Sequence, residues 1–197
     1  HIMRTINEYI DKYNDYFIAE LGAFRKGDIK QRASIVKPKY GILTKIGTAH
    51  LDTFGCIENT TKAKFELIEY LPKDGVGFLN IDDEAQVNYK LKNKIKIVWY
   101  GLSKKADVYA TDIKYSSEGM SFKVHFKGDK ESYDFTTRLL GEANVYNILA
   151  GIAVAKELGL TISQLQQGVL KIKPIEHRLQ MKKYGNITYI DDAYNSN

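Results

Sequence analysis

Apolar positions in the first half of the chain follow two spacings in turn, which predicts alternating strands and helices. Short continuous apolar runs predict strands at residues 16–21, 40–46, 76–81 and 95–100. Apolar residues three and four positions apart predict helices at residues 4–15, 28–36, 57–71 and 84–93. This alternation is typical of an α/β fold, in which a mostly parallel sheet is flanked by helices.

The spacing changes after residue 100. Strand-like runs then follow one another without helices, at residues 107–112, 120–126 and 132–139. Because only short turns separate them, we predict a small antiparallel β-meander at one edge of the sheet. Two helices and a last strand are predicted at residues 143–158, 161–170 and 187–191. We expect residues 4–197 to form one domain, while His1–Met3 resemble a cloning remnant.

Composition excludes several classes of partner. The 29 lysines and arginines outnumber the 24 acidic residues, but they are scattered, so we expect no nucleic-acid partner. A single cysteine, Cys56, allows no intrachain disulfide and fits a reducing compartment. No apolar run approaches the roughly 20 residues that a membrane helix needs. The expectation is a cytoplasmic protein without membrane insertion, whose anionic partner is a nucleotide phosphate.

Two polar side chains are predicted at the ends of neighbouring strands. Glu20 closes the strand at residues 16–21, and His50 follows the strand at residues 40–46. Ligands of α/β proteins bind at the carboxyl ends of strands, so we expect Glu20 and His50 to point into one crevice. The structural alternatives are a solvated glutamate and a histidine with a purely structural use.

The helix at residues 57–71 carries two lysines that its periodicity places differently. Lys62 lines up with glutamates on a face that we expect to be solvated and salt-bridged: Glu58, Glu66 and Glu69. Lys64 instead borders an apolar stripe made of Thr61, Phe65, Ile68 and Leu71. Burial there favours a neutral amine, which can take up CO₂ and lose a proton to become a carbamate, an anion suited to Mg²⁺. The alternative is a lysine that merely covers apolar surface.

Asn144 and Asn147 lie one helical turn apart near the start of a predicted helix, so their side chains face the same way. An asparagine amide both donates and accepts, which suits the edge of adenine. The alternative for Asn144 is a helix N-cap, although a cap leaves Asn147 unexplained. Further on, Arg178 offers a guanidinium fork that can grip phosphate or ribose oxygens.

Four segments together resemble the Mur ligases, the ATP-dependent amide-forming enzymes of peptidoglycan synthesis. They are residues 46–64 (beginning Ile-Gly-Thr-Ala-His), 141–150 (Gly-Glu-Ala-Asn-Val-Tyr-Asn), 174–180 (Pro-Ile-Glu-His-Arg-Leu-Gln) and 191–197 (Asp-Asp-Ala-Tyr-Asn-Ser-Asn). The last is most similar to the branch that adds D-alanyl-D-alanine to UDP-N-acetylmuramoyl-tripeptide. Two positions depart from the pattern: Ala143 replaces a usual histidine, and His177 stands where this branch more often has glycine.

The resemblance implies a role for each candidate residue. Metal ligands would be Glu20, His50 and a carbamylated Lys64, with His50 beside the nucleotide γ-phosphate. Nucleotide-binding residues would be Asn144, Asn147, Arg178 and Asp192, of which Asp192 meets the ribose at a hinge. The implied cofactors are ATP and Mg²⁺, and the implied partners are a UDP-muramoyl-peptide and D-alanyl-D-alanine.

The sequence holds no Gly-x-x-x-x-Gly-Lys-[Ser/Thr] phosphate loop, which this class of enzyme needs. We therefore expect a truncated central domain without its first strand, its loop and the flanking N- and C-terminal domains, and we expect it to be inactive alone. Two alternatives stay open. One is a sister Mur or folylpolyglutamate-type ligase, and the other is a non-catalytic binding module that has lost its loop.

Overall fold

The computed structural model describes residues 2–47 and 54–194. Its helices are α1 Ile2–Tyr9, α2 Asp28–Val36, α3 Ile57–Tyr70, α4 Glu84–Val87, α5 Glu142–Glu157 and α6 Ile162–Lys171. Its strands are β1 Tyr40–Ile42, β2 Val76–Asn80, β3 Lys96–Gly101, β4 Val108–Ser116, β5 Gly119–Phe126, β6 Ser132–Thr137, β7 Gln180–Tyr184 and β8 Ile187–Asp191. Contacts divide the chain into two compact units. The first contains residues 1–79 and 83–97, and the second contains residues 80–82 and 98–197.

The first six strands form one sheet in the order β1-β2-β3-β4-β5-β6. The pairs β1–β2 and β3–β4 are parallel, whereas β4–β5 and β5–β6 are antiparallel. The predicted α/β fold, a mostly parallel sheet with an antiparallel meander at one edge, is therefore confirmed. The meander is joined to the sheet by the parallel pairing of β3 and β4, rather than forming a separate layer.

In the first unit, helices α2 and α3 pack on each other, and α3 also packs on β1. Ile29 and Ala33 of α2 are buried, as are Phe65 and Ile68 of α3. A Cβ at Gly41 in β1 would lie 3.2 Å from side-chain atoms of α3, so glycine allows the strand to approach this helix closely. The apolar face predicted for residues 57–71 is the face that the unit buries.

In the second unit, the meander covers one core face with alternate residues of each strand. Phe122 and Val124 of β5 and Phe135 of β6 are buried, while the residues between them are partly or fully exposed. Val145 and Leu149 of α5 are also buried, and α5 contacts β4. Helix α6 begins with a capping box, in which Thr161 and Gln164 exchange side-chain and backbone hydrogen bonds.

Several predicted elements differ from the structure. The strand predicted at residues 40–46 ends at Ile42. The apolar run at residues 16–21 is not a strand, because no described strand pairs with it and its backbone groups lack a ladder. The helix predicted at residues 84–93 ends at Val87, and the one predicted at residues 4–15 ends at Tyr9. Strand β7 was not predicted. It pairs with β8 through the two-residue loop Gly185–Asn186, where Gly185 has φ +57°. Within the described residues, no helix is both long and apolar enough to cross a membrane.

Candidate functional site

In the first unit, the two lysines of α3 differ in exposure as the helical periodicity predicts. Lys62 is exposed, whereas Lys64 is half-buried between Ala63 and Phe65, both fully buried. Lys64 therefore lies at the border of the apolar stripe, as the periodicity predicted. This position is the observation that supports a functional role for Lys64.

The face that carries Lys62 is more than the solvated salt-bridging face we expected. Glu66 is half-buried and accepts hydrogen bonds from the backbone amides of Gly27 (2.7 Å) and Lys30 (3.1 Å) at the start of α2. Glu69 accepts from the Tyr89 hydroxyl (2.8 Å) and pairs with Lys92 (3.0 Å). Expecting solvation here was wrong because tertiary contacts, absent from a single helix, supply donors to both carboxylates.

The other two predicted metal ligands are placed differently. Glu20 is exposed and lies in an irregular segment, so the strand end that we expected for it is wrong. His50 lies outside the described residues. Among those that are described, no group of three or more His, Cys, Asp or Glu side chains is arranged to hold a metal ion. The convergence of Glu20, His50 and Lys64 stays a prediction.

The segment that leads towards His50 is held by two buried side chains that the sequence analysis missed. The Ile46 amide donates to Asp83 (2.6 Å), and the Gln86 amide donates to the Thr44 carbonyl (2.6 Å). Asp83 also caps α4, and Gln86 is 1% exposed. The detectable signal was an aspartate directly before a helix, which is typical of an N-cap.

In the second unit, the two asparagines of the candidate nucleotide site lie on the first turns of α5. Gly141 is the N-cap, with φ +89°, so the capping alternative for Asn144 is wrong. The Asn144 side-chain nitrogen instead donates to the Leu140 backbone carbonyl (2.8 Å), and the Asn147 side-chain nitrogen donates to Asn144 Oδ1 at 3.5 Å. The two side chains therefore face each other, as their spacing predicted, and Asn147 is the more exposed of the pair.

Tyr146, between these asparagines, forms a contact that the sequence analysis did not identify. Its hydroxyl donates to Asp82 (3.2 Å), a carboxylate that also accepts from the backbone amide of Leu102 (2.5 Å). Burial and then the negative charge of Asp82 raise the pKa of Tyr146 to about 12. Gly101 is required beside this carboxylate, since a Cβ there would overlap Asp82.

The turn that carries Arg178 has an unusual backbone. His177 and Leu179, on either side of Arg178, have φ values of +62° and +46°. A left-handed conformation at His177 explains why glycine suits this position. The Leu179 amide donates to Asp192 (3.1 Å), and the Leu179 side chain approaches Gly141 so closely that a Cβ there would lie 2.7 Å away.

These contacts connect the segments that carry the four predicted nucleotide-binding residues, and the grouping of their side chains into one site stays a prediction. Leu179 links the start of α5, which carries Asn144 and Asn147, to the segment that carries Asp192, and Arg178 lies beside Leu179 in the chain. The Arg178 guanidinium lies 4.6 Å from the centre of the Tyr194 ring. An apolar cavity of about 320 Å³ opens between α5 and α6, with Asn147 among its lining residues.

Asp191, next to Asp192, joins the Arg178 turn to the β7–β8 hairpin. It accepts from His177 Nδ1 (2.9 Å) and pairs with Lys182 Nζ (2.5 Å) across the β7–β8 hairpin. The hydrogen bond from Lys182, and after it the bond from His177, lowers the pKa of Asp191. The same pairing raises the pKa of Lys182. Both groups are therefore charged at neutral pH.

Comparison with known proteins identifies relatives along the whole chain. The family model described as "Mur ligase middle domain" matches residues 1–155. The UDP-N-acetylmuramoyl-tripeptide–D-alanyl-D-alanine ligase of Escherichia coli strain K12 is 30% identical over 199 residues, covering 100% of this chain and 42% of the relative. The UDP-N-acetylmuramate–L-alanine ligase of Neisseria meningitidis serogroup C is 36% identical over 154 residues, covering 76% of this chain and 32% of the relative.

A solved structure from the same family also matches nearly the whole chain. The UDP-N-acetylmuramoylalanyl-D-glutamyl-2,6-diaminopimelate–D-alanyl-D-alanyl ligase of Acinetobacter baumannii superposes with a TM-score of 0.84 at 28% identity, covering 95% of this chain and 41% of that protein. The chain thus spans less than half the length of the relatives that it matches. The UDP-N-acetylmuramoyl-tripeptide–D-alanyl-D-alanine ligases match 93–100% of this chain, whereas the UDP-N-acetylmuramate–L-alanine ligase matches 76% of it.

Proposed function

The chain belongs to the Mur ligase family, and from this premise we propose that it is the central, nucleotide-binding part of an ATP-dependent ligase that adds D-alanyl-D-alanine to UDP-N-acetylmuramoyl-tripeptide. The observation that supports this most is the linkage of α5, the Arg178 turn and Asp192 through Leu179. It gathers amide, guanidinium and carboxylate groups, the set that a nucleotide's base, phosphates and ribose require.

In the proposed site, these residues together contact the base, the ribose and the phosphates of ATP. Asn144 and Asn147 bond the edge of adenine through their amides, and Arg178 contacts phosphate or ribose oxygens through its fork. Asp192 accepts from a ribose hydroxyl while it keeps its bond from the Leu179 amide (3.1 Å). Because Asn144 already donates to the Leu140 carbonyl (2.8 Å), Asn147 is the freer of the two amides for the base.

The proposed metal ligands are Glu20, His50 and a carbamylated Lys64. The half-buried position of Lys64 beside Phe65 fits this use, and carbamate and carboxylate oxygens are the donors that Mg²⁺ prefers. Bound Mg²⁺ would neutralise charge on the transferring phosphoryl group. Carbamylation joins the Lys64 nitrogen to the carbon of CO₂ and releases one proton.

The proposed reaction has two steps. A carboxylate oxygen of the UDP-muramoyl-tripeptide attacks the γ-phosphorus, the bond to the β-phosphate oxygen breaks, and ADP leaves. The amine of D-alanyl-D-alanine then attacks the acyl carbon, the carbon–oxygen bond breaks, and phosphate and a proton leave. The chain's residues contribute by positioning and by charge, which is how phosphoryl-transfer sites act. Because ATP is its energy source, we place the protein in the cytoplasm.

The amine acceptor separates this proposal from its rivals. The full-length gene product is assayed for phosphate release with ATP and Mg²⁺, first with UDP-N-acetylmuramoyl-tripeptide and D-alanyl-D-alanine, then with UDP-N-acetylmuramate and L-alanine. We expect turnover with the first pair only. Turnover with the second pair alone would assign the protein to a sister branch. No turnover with either pair, together with retained nucleotide binding, would support the non-catalytic module.

A further inference from the structure

We propose that His177 is a positioning residue for the nucleotide site: its bond to Asp191 holds the turn that presents Arg178 and connects Leu179 to Asp192. This inference rests on the proposed function and adds a residue-level requirement to it.

His177 is bonded through its side chain to the last residue of β8 and through its backbone to the segment that follows β8. The ring nitrogen Nδ1 donates to Asp191 (2.9 Å), and the backbone carbonyl accepts from the Tyr194 amide (3.0 Å). Because a carboxylate only accepts, this nitrogen carries the proton. Two bonds from one residue to two positions, 191 and 194, fix its orientation more tightly than either bond alone.

The hydrogen bond from His177 to Asp191 matters because the backbone of His177 has a strained, left-handed conformation. At φ +62° a non-glycine residue is disfavoured, although histidine is found in this region more often than most residues. Glycine would adopt the same conformation without strain, but it would also leave the turn without an anchor. The His177–Asp191 bond thus compensates for the strain and restricts a turn that glycine would leave flexible.

Asp191 is suited to be the anchor because it does not depend on His177. It retains Lys182 (2.5 Å) and the Ala193 amide (3.3 Å) when the imidazole is removed. Loss of the ring therefore leaves no unpaired buried carboxylate, and the consequence is confined to the turn. Arg178 and Leu179 follow His177 directly in the chain. Greater backbone flexibility at His177 would therefore first affect the position of the Arg178 guanidinium and the hydrogen bond from Leu179 to Asp192.

Three substitutions in the full-length enzyme separate the hydrogen bond from the backbone strain. His177→Gly keeps the conformation and removes the donor. His177→Asn keeps a donor and tolerates positive φ, and His177→Ala removes the donor and adds strain. The control is Lys173→Gly, which loosens an exposed position just before the same turn.

We expect His177→Gly to raise KM for ATP about tenfold, with kcat within about twofold of wild type. His177→Asn should have a KM for ATP close to that of wild type, and Lys173→Gly should leave the KM unchanged. Hydrogen exchange at the Leu179 and Tyr194 amides should accelerate in His177→Gly, independently of turnover. An active wild type whose KM and exchange are unaffected by His177→Gly would overturn the inference alone. A wild type without ligase turnover would overturn the proposed function, and the positioning role with it.

Discussion

Glu66 of α3 accepts a hydrogen bond from the Gly27 amide, 39 residues earlier, at 2.7 Å, and it thereby caps a helix to which it does not belong. A second bond, from Lys30 at 3.1 Å, occupies its other oxygen. Helix α2 has no capping side chain of its own, since its N-cap is Gly27. One carboxylate thus joins the two helices that form the core of the first unit.

Replacement of Glu66 by alanine should therefore destabilise the chain by about 1–2 kcal/mol, as for other lost caps. The matched control is Lys62→Ala, an exposed position one turn earlier on the same helix, which should change the free energy of unfolding by less than about 0.5 kcal/mol. Urea denaturation measures both. Equal effects from the two variants would show that the interhelix cap contributes nothing.

Replacement of Lys64 by alanine in the full-length enzyme should lower kcat about 100-fold or more, because a metal-binding anion at the phosphoryl group is lost. Short carboxylic acids should restore part of the rate by supplying that anion. Lys62→Ala should have little effect, since an exposed charge contributes about 0–1 kcal/mol.

A carbamate at Lys64 should also be visible directly, as a ¹³C signal after exchange with labelled bicarbonate that the Lys64→Ala variant lacks. Comparable loss of activity from the Lys62 and Lys64 variants would be evidence against the assignment of Lys64.

Asn147→Ala should raise KM for ATP without lowering stability, because the residue is exposed and its one side-chain bond is long (3.5 Å). Asn144→Ala should raise KM and also destabilise the chain by about 1 kcal/mol, because its bond to the Leu140 carbonyl is lost. Initial-rate kinetics and thermal unfolding separate the two effects. An Asn147→Ala enzyme with unchanged KM would exclude that amide from the base site.

The alkaline stability of the chain should depend on Tyr146. Its folded-state pKa, about 12, lies above the ordinary value of 10.0, so its contribution is complete below pH 10 and is lost as the pH rises towards 12. Wild type should therefore lose stability between pH 9.5 and pH 11.5 more steeply than Tyr146→Phe, which cannot ionise. Parallel curves for the two proteins in denaturant titrations would argue against the Asp82 contact.

Elements with a repeating burial pattern were predictable from sequence. The helix expected at residues 57–71 is observed at Ile57–Tyr70, and the strand expected at residues 120–126 is observed at Gly119–Phe126. Residues 16–21 show why an apolar run is not sufficient, because a strand also needs a neighbour to pair with. Strand β7 was missed for the converse reason: Lys182 and Lys183 break the apolar alternation, and the strand exists through its pairing with β8.

In the candidate site, too, some residues were predictable from the sequence and others were not. Motifs located Asn144, Asn147, Arg178 and Asp192, and helical periodicity separated Lys64 from Lys62. Sequence gave no indication of the residues that hold them, because Asp82 meets Tyr146 across 64 positions and His177 meets Asp191 across 14. Such contacts depend on how strands and turns close in three dimensions, which local spacing does not specify.

The most direct test of the proposed reaction follows one oxygen atom. UDP-N-acetylmuramoyl-tripeptide labelled with ¹⁸O in the reacting carboxylate is incubated with the full-length enzyme, ATP, Mg²⁺ and D-alanyl-D-alanine, and the released phosphate is analysed by mass spectrometry. An acyl phosphate intermediate predicts one ¹⁸O in each phosphate formed together with the amide. Phosphate released without ¹⁸O, or without formation of the amide, would contradict the account.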